Sequence, residues 1–153
     1  MFYTHILFGA LLFLVAGNYI HLSLLQWAVI PLAAILPDID TENSFISKRL
    51  PLIPFLFSGV KHRTLTHSLI GLAVATWLAF GVGYFTQHIE ITLPFFIGYA
   101  SHILADMLND AGVALFYPEK KRYRLLRIRT GSVSEMWFFF SVLGGIIAIL
   151  LSV

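Results

Sequence analysis

Cysteine is absent from the 153 residues, which excludes a disulfide framework and any thiolate-ligated metal site. Charge is scarce as well. Asp, Glu, Lys and Arg make up 12% of the chain, against about 25% in soluble domains. With 58% hydrophobic residues and a mean hydropathy of +0.83, that scarcity excludes an ordinary soluble protein. It indicates an integral membrane protein with a single domain over residues 1–153. Internal repeats and low-complexity segments are missing too, so neither a solenoid nor a disordered tether is expected. The net charge of +2 decides little; the positions of the charges decide more.

What the chain has in abundance is apolar runs. Met1 to Gly17, running on towards Ile20, reads as a first membrane helix, a little short. It has no basic n-region, which argues against a cleaved signal peptide. His21 to Leu36 is a second apolar segment, interrupted by Pro31 and ended by Pro37. It falls below the ~20 residues of a full span, so a tilted, kinked or re-entrant helix is expected. Asp38 to Arg63 is a polar connection, within which the proline-broken segment 50–57 is placed at the membrane interface. Thr64 to Phe85 gives a third helix, capped by Thr64 or Thr66, and the fourth runs from Ile91 to about Phe116. The basic stretch Glu119 to Glu135 precedes a fifth helix from about Met136 to Val153. The expected fold is therefore an all-α, polytopic membrane bundle of about five helices.

Topology follows from the cations. All 10 Lys and Arg residues lie in the two loops 38–63 and 119–135, which five spans place on one side. The positive-inside rule makes that side cytoplasmic, with the N-terminus inside. The expected location is the bacterial inner membrane, crossed several times.

The titratable residues sort the same way. His5 opens helix one; Asp38 and Asp40 close helix two; His62 and Arg63 precede helix three and His67 lies in its first turn. His102, Asp106 and Asp110 descend helix four at spacings of four residues, forming one slowly drifting stripe, and Glu135 opens helix five. Ionisable groups at membrane depth cost about 2.5–3.5 kcal/mol each on insertion scales and mark function by default. Each group alone has an ordinary explanation: an interfacial imidazole, a Pro-Asp turn, a polar seam between helices, a topology-setting basic loop. The arrival of four histidines and all four aspartates from four segments at one membrane face has none.

Imidazole and carboxylate without sulfur suit zinc, with manganese and iron as alternatives. The candidate ligands are His5, Asp38, Asp40, His62, His67, His102, Asp106 and Asp110. They exceed the needs of one tetrahedral ion, so two or more divalent ions are expected. Paired ions about 3.5–4 Å apart are the standard arrangement for phosphoester hydrolysis. The candidate catalytic groups are Asp38 and Asp40, as bridge or base, Arg63 on phosphate oxygens, and Glu135. The rival expectation is a metal-ion or proton transporter using the same cluster. Against it, the opposite half of each helix is almost purely apolar, and a pathway needs polar groups through the full thickness.

Three linked motifs, Leu36-Pro-Asp-Ile-Asp40, His62-Arg-Thr-Leu-Thr-His67-Ser and Gly98-Tyr-Ala-Ser-His-Ile-Leu-Ala-Asp-Met-Leu108, give the chain its resemblance to the YdjM family of inner-membrane-associated, metal-dependent hydrolases. That family is grouped with zinc-dependent phospholipases C and single-strand-specific nucleases, and the pair His102-x-x-x-Asp106 resembles their His-x-x-x-Glu. The resemblance implies a hydrolase of the phospholipase C or phosphatase type, acting on phosphoester bonds. Head-group depth favours a phospholipid or lipid phosphate, with membrane lipids as partners and no nucleic acid.

Overall fold

In the computed structural model, residues 2–17, 23–41, 44, 47–49 and 63–152 are described. They form five α-helices and no strand: α1 Phe2–Gly17, α2 Leu24–Ile35, α3 Leu69–Thr86, α4 Thr92–Leu108 and α5 Val133–Leu151. A 3-10 turn, Leu36–Asp40, closes α2. The all-helical expectation is met, with five helices in the expected order. Among the described residues, three stretches are long and apolar enough to cross a membrane: Leu69–Thr86, Ile89–Leu108 and Val133–Leu151. With 16 and 12 residues, α1 and α2 rise about 24 and 18 Å, less than a ~30 Å hydrocarbon core.

The helix limits differ from the sequence reading at three points, each for a local reason. α3 starts at Leu69 because the Ser68 hydroxyl accepts from Gly71 N at 3.1 Å; Thr66 is engaged elsewhere. α4 stops at Leu108, where Asn109 turns extended, and the chain beyond it folds back. There Val113 and Tyr123 exchange both backbone hydrogen bonds, and Ile128 N donates to Leu108 O. The stripe on α4 therefore ends before Asp110. α5 starts at Val133, with Ser132 at the N-cap position and Glu135 in its first turn, a favourable place for a negative charge.

α4 is the centre of the bundle and packs on α1, α2 and α3, whereas α5 packs against α1 alone among the described helices. Small residues allow the central approach. A Cβ on Gly98 would lie 2.6 Å from Ile30 O and 2.9 Å from Ala33 Cβ, and one on Gly9 2.8 Å from Ser101 Oγ. Ala33 and Ala34 are fully buried on the facing side of α2. Gly98→Ala is accordingly expected to destabilise by about 1–3 kcal/mol, because backbone rather than a flexible side chain must give way. A thermal midpoint in detergent equal to that of wild type would contradict it.

Candidate metal centre

Alternating helix direction brings the first turns of α1, α3 and α5 to the same end as the last turns of α2 and α4. Four side-chain atoms meet there. His67 Nε2 lies 3.1 Å from His102 Nε2, and Asp38 Oδ1 is 3.5 Å from each. Asp106 Oδ2 is 3.3 Å from His67 Nε2 and 3.9 Å from His102 Nε2. Donors bound tetrahedrally at 2.0–2.1 Å are separated by about 3.3–3.4 Å. The five spacings scatter around that value.

The hydrogen bonds behind the imidazoles fix which nitrogen faces the cluster. His102 Nδ1 is 2.7 Å from the Ala34 carbonyl, which only accepts, so Nδ1 carries the proton and Nε2 its lone pair. Thr66 Oγ1 donates to Asp40 Oδ2 at 2.6 Å and therefore accepts from His67 Nδ1 at 2.9 Å. His67 Nε2 is then a lone pair as well. Two neutral imidazoles thus aim lone pairs at each other across 3.1 Å, an arrangement that a shared cation or proton makes favourable. Asp106 Oδ2 is buried with no hydrogen-bond partner. Arg63 Nε approaches it to 2.8 Å as an ion pair, while the hydrogen bond goes from Arg63 Nη2 to Oδ1, also at 2.8 Å. Asp38, His67 and His102 form a triad that could hold a divalent ion of the zinc type, with Asp106 beside it.

The remaining expected residues fall around this core. His5 stacks on His102, ring centroids 4.1 Å apart, with Nε2 3.8 Å from Asp106 Oδ1; His5, His102 and Asp106 make a second, overlapping triad. The Asp40 carboxylate is fully buried and accepts from Thr66 and Thr41, so it orients His67 at one remove. Arg63 is engaged with Asp106. Glu135 accepts from Thr4 Oγ1 at 3.3 Å and Gly131 N at 2.7 Å. Asp110 stands apart, half exposed and 3.7 Å from Arg129 Nε. His62 and the segment 50–57 lie outside the described residues. Neither Thr66 nor the Ala34 carbonyl was picked out from the sequence as a site group. Thr66 adjoins His67 in a quoted motif and could have been found there; a backbone carbonyl leaves no such sign.

The cluster opens into a cavity of about 500 Å³ lined by His5, Asp38, Arg63, Asp106, Asn109 and Glu135 among others. Burial disfavours the Asp38 anion, but a proton shared between the facing His102 and His67 nitrogens outweighs it through hydrogen bonding and charge and holds the carboxyl well below the usual range. Burial lowers the His67 pKa, with Asp38 opposing. For both groups the unfolded chain binds a proton that the folded chain refuses. The His67 contribution is therefore complete above about pH 6.5 and is lost as pH falls below it; that of Asp38 is lost below about pH 4. In chelator, the thermal midpoint is expected to fall between pH 7.5 and 5.5. A midpoint that holds or rises there would refute this.

Residues 1–152 match the family described as YdjM inner membrane protein. The chain is 39% identical to inner membrane protein YdjM of Escherichia coli (strain K12) over 106 residues, 65% of this chain and 54% of that protein. It thus spans about half the length of this relative. It is 33% identical over 135 residues to YvsG of Bacillus subtilis (strain 168), covering 86% of this chain and 82% of the relative. No solved structure matches.

Proposed function

The chain belongs to the YdjM inner membrane protein family, and from that premise we propose that it is a multi-pass, metal-dependent phosphoester hydrolase whose cavity opens on the cytoplasmic side. The orientation rests on the cations: Lys48, Arg49 and the basic residues of 120–129 all lie in loops at the end that carries the cluster. The observation that carries the metal is the facing pair of imidazole nitrogens, 3.1 Å apart, beside the buried Asp106 carboxylate.

His67, His102, Asp38 and Asp106 would hold one ion; a second would draw on His5 and the other Asp106 oxygen. A divalent ion bound there supplies Lewis acidity toward a phosphoryl oxygen and acidifies water. The chain supplies the rest. Asp40 and Thr66 keep His67 in its ligating tautomer. Arg63 holds Asp106 in place and keeps its charge balanced. Glu135, at the cavity wall, is the carboxylate placed to take a proton from water. Zinc is the favoured ion, with manganese and iron behind it, and a phospholipid or lipid phosphate is the favoured substrate. A transporter is the weaker reading, because the described helices carry their titratable groups at one end, apart from the exposed His88–Glu90 pair.

The test is metal content. Protein purified without chelator is expected to hold at least one divalent ion per chain by elemental mass spectrometry, and to release phosphate or a phosphorylated head group from lipid vesicles. A metal-free preparation that takes up no added zinc would end this reading.

A further inference from the structure

Beside the cavity lies a groove of about 440 Å³, between the first turns of α1 and α5. Tyr3, Val133, Met136 and Phe139 line it, and it shares Thr4 and Glu135 with the cavity. The two spaces are therefore continuous at the Thr4–Glu135 pair. On the cavity side of that pair stand His5, Asp38, Arg63 and Asp106; on the groove side the lining is mostly apolar. Tyr3, at the start of α1, is 64% exposed, and Val133 and Met136, at the start of a helix apolar enough to lie in a membrane, are 64% and 52% exposed.

This seam is also loosely closed. α5 packs on α1 alone among the described helices, so its displacement disturbs one interface. The hydrogen bond across the opening, Thr4 Oγ1 to Glu135 Oε1, is 3.3 Å long, well beyond the usual 2.7–2.8 Å between oxygens. One turn deeper, Phe8 and Phe138 meet with ring centroids 5.5 Å apart, Phe138 on the cavity wall.

We propose that the α1/α5 seam is the lateral entry for a long-chain phosphomonoester lipid, its phosphate in the cavity and its hydrocarbon chain along Tyr3, Val133, Met136 and Phe139. This rests on the hydrolase reading and narrows its substrate class. A soluble phosphoester would use the polar cavity but has no use for an apolar continuation open to the bilayer. The Thr4–Glu135 pair marks the boundary between head group and chain.

The probe is phosphatidic acid carrying a diazirine in its acyl chain, present in trace amount in phosphatidylcholine vesicles holding the full chain. After illumination, adducts mapped by mass spectrometry are expected to concentrate on the four groove residues. Unlabelled phosphatidic acid at about ten times its half-competing level should reduce them about tenfold, leaving adducts on the exposed α3 residues Trp77 and Phe85 unchanged. Met136→Trp, which fills the groove, should reduce the same adducts while leaving metal content at the wild-type level. Adducts spread evenly over α3 and the seam, or seam adducts that phosphatidylcholine competes equally well, would overturn the proposal. The readout needs binding alone. Competed seam adducts in a protein that takes up no metal would uphold the seam while removing the hydrolase reading.

Discussion

His102→Ala protein is expected to bind zinc with less than about one hundredth of the wild-type affinity. Thr66→Val should lose about 10–100-fold, the range found when the partner behind a ligand is removed. The order follows from the geometry. His102 Nε2 is within 3.1–3.9 Å of three other donors, so its removal leaves His67, Asp38 and Asp106 with one corner missing. Its ring also stacks against His5, and alanine leaves that face unsupported. Thr66 touches no ion. It accepts from His67 Nδ1 while donating to Asp40, and valine keeps its shape without the hydroxyl. The imidazole is then free to move its proton to Nε2, which ends ligation by that atom. Competition with a coloured chelator in detergent measures both. Equal zinc affinity in wild type and His102→Ala would remove the proposed centre; equal loss in both variants would show that Thr66 does more than fix a tautomer.

The sequence carried the architecture because its signals are strong ones. Apolar runs set the helices, and Pro37, Gln87 and the charged loops separate them. Confinement of the cations to two loops predicted that the ends of α2 and α4 and the starts of α1, α3 and α5 would share one end of the bundle, and those ends do surround one cavity. His102 and Asp106 were legible as candidate ligands because an acid or imidazole inside an apolar run is expensive, and Asp38 and His67 because they fall on the same face. Asp110 was carried along by its four-residue spacing. That spacing has meaning only while the helix lasts, and α4 ends at Leu108. Arg63 was read as a phosphate holder, since an exposed arginine beside a histidine suits that role. Only the folded chain brings it against Asp106, 43 positions away. Thr66 was read as a helix cap, for which its residue type is suited, and the competing demand of Asp40 could not be read from order along the chain.

Arg63→Met is expected to lower stability in chelator by about 3 kcal/mol, the lower end of the range for breaking a buried ion pair. Asp106 is almost wholly buried, its side chain 4% exposed, and the Arg63 guanidinium beside it is 17% exposed. Methionine keeps the aliphatic bulk and leaves the carboxylate without its cation. At this chain length the thermal midpoint should fall by roughly 6–12 °C. Zinc makes the prediction specific. An ion held by Asp106 restores the missing positive charge, so the gap between Arg63→Met and wild type should shrink when zinc saturates both. The backbone offers a control. Arg63 has φ +62°, a left-handed conformation that a non-glycine residue adopts at a cost. Arg63→Gly relieves that strain while removing the same charge, so in chelator it should be less destabilised than Arg63→Met. A gap that zinc leaves unchanged would mean that Asp106 does not meet the ion, and the donor set would reduce to His67, His102 and Asp38.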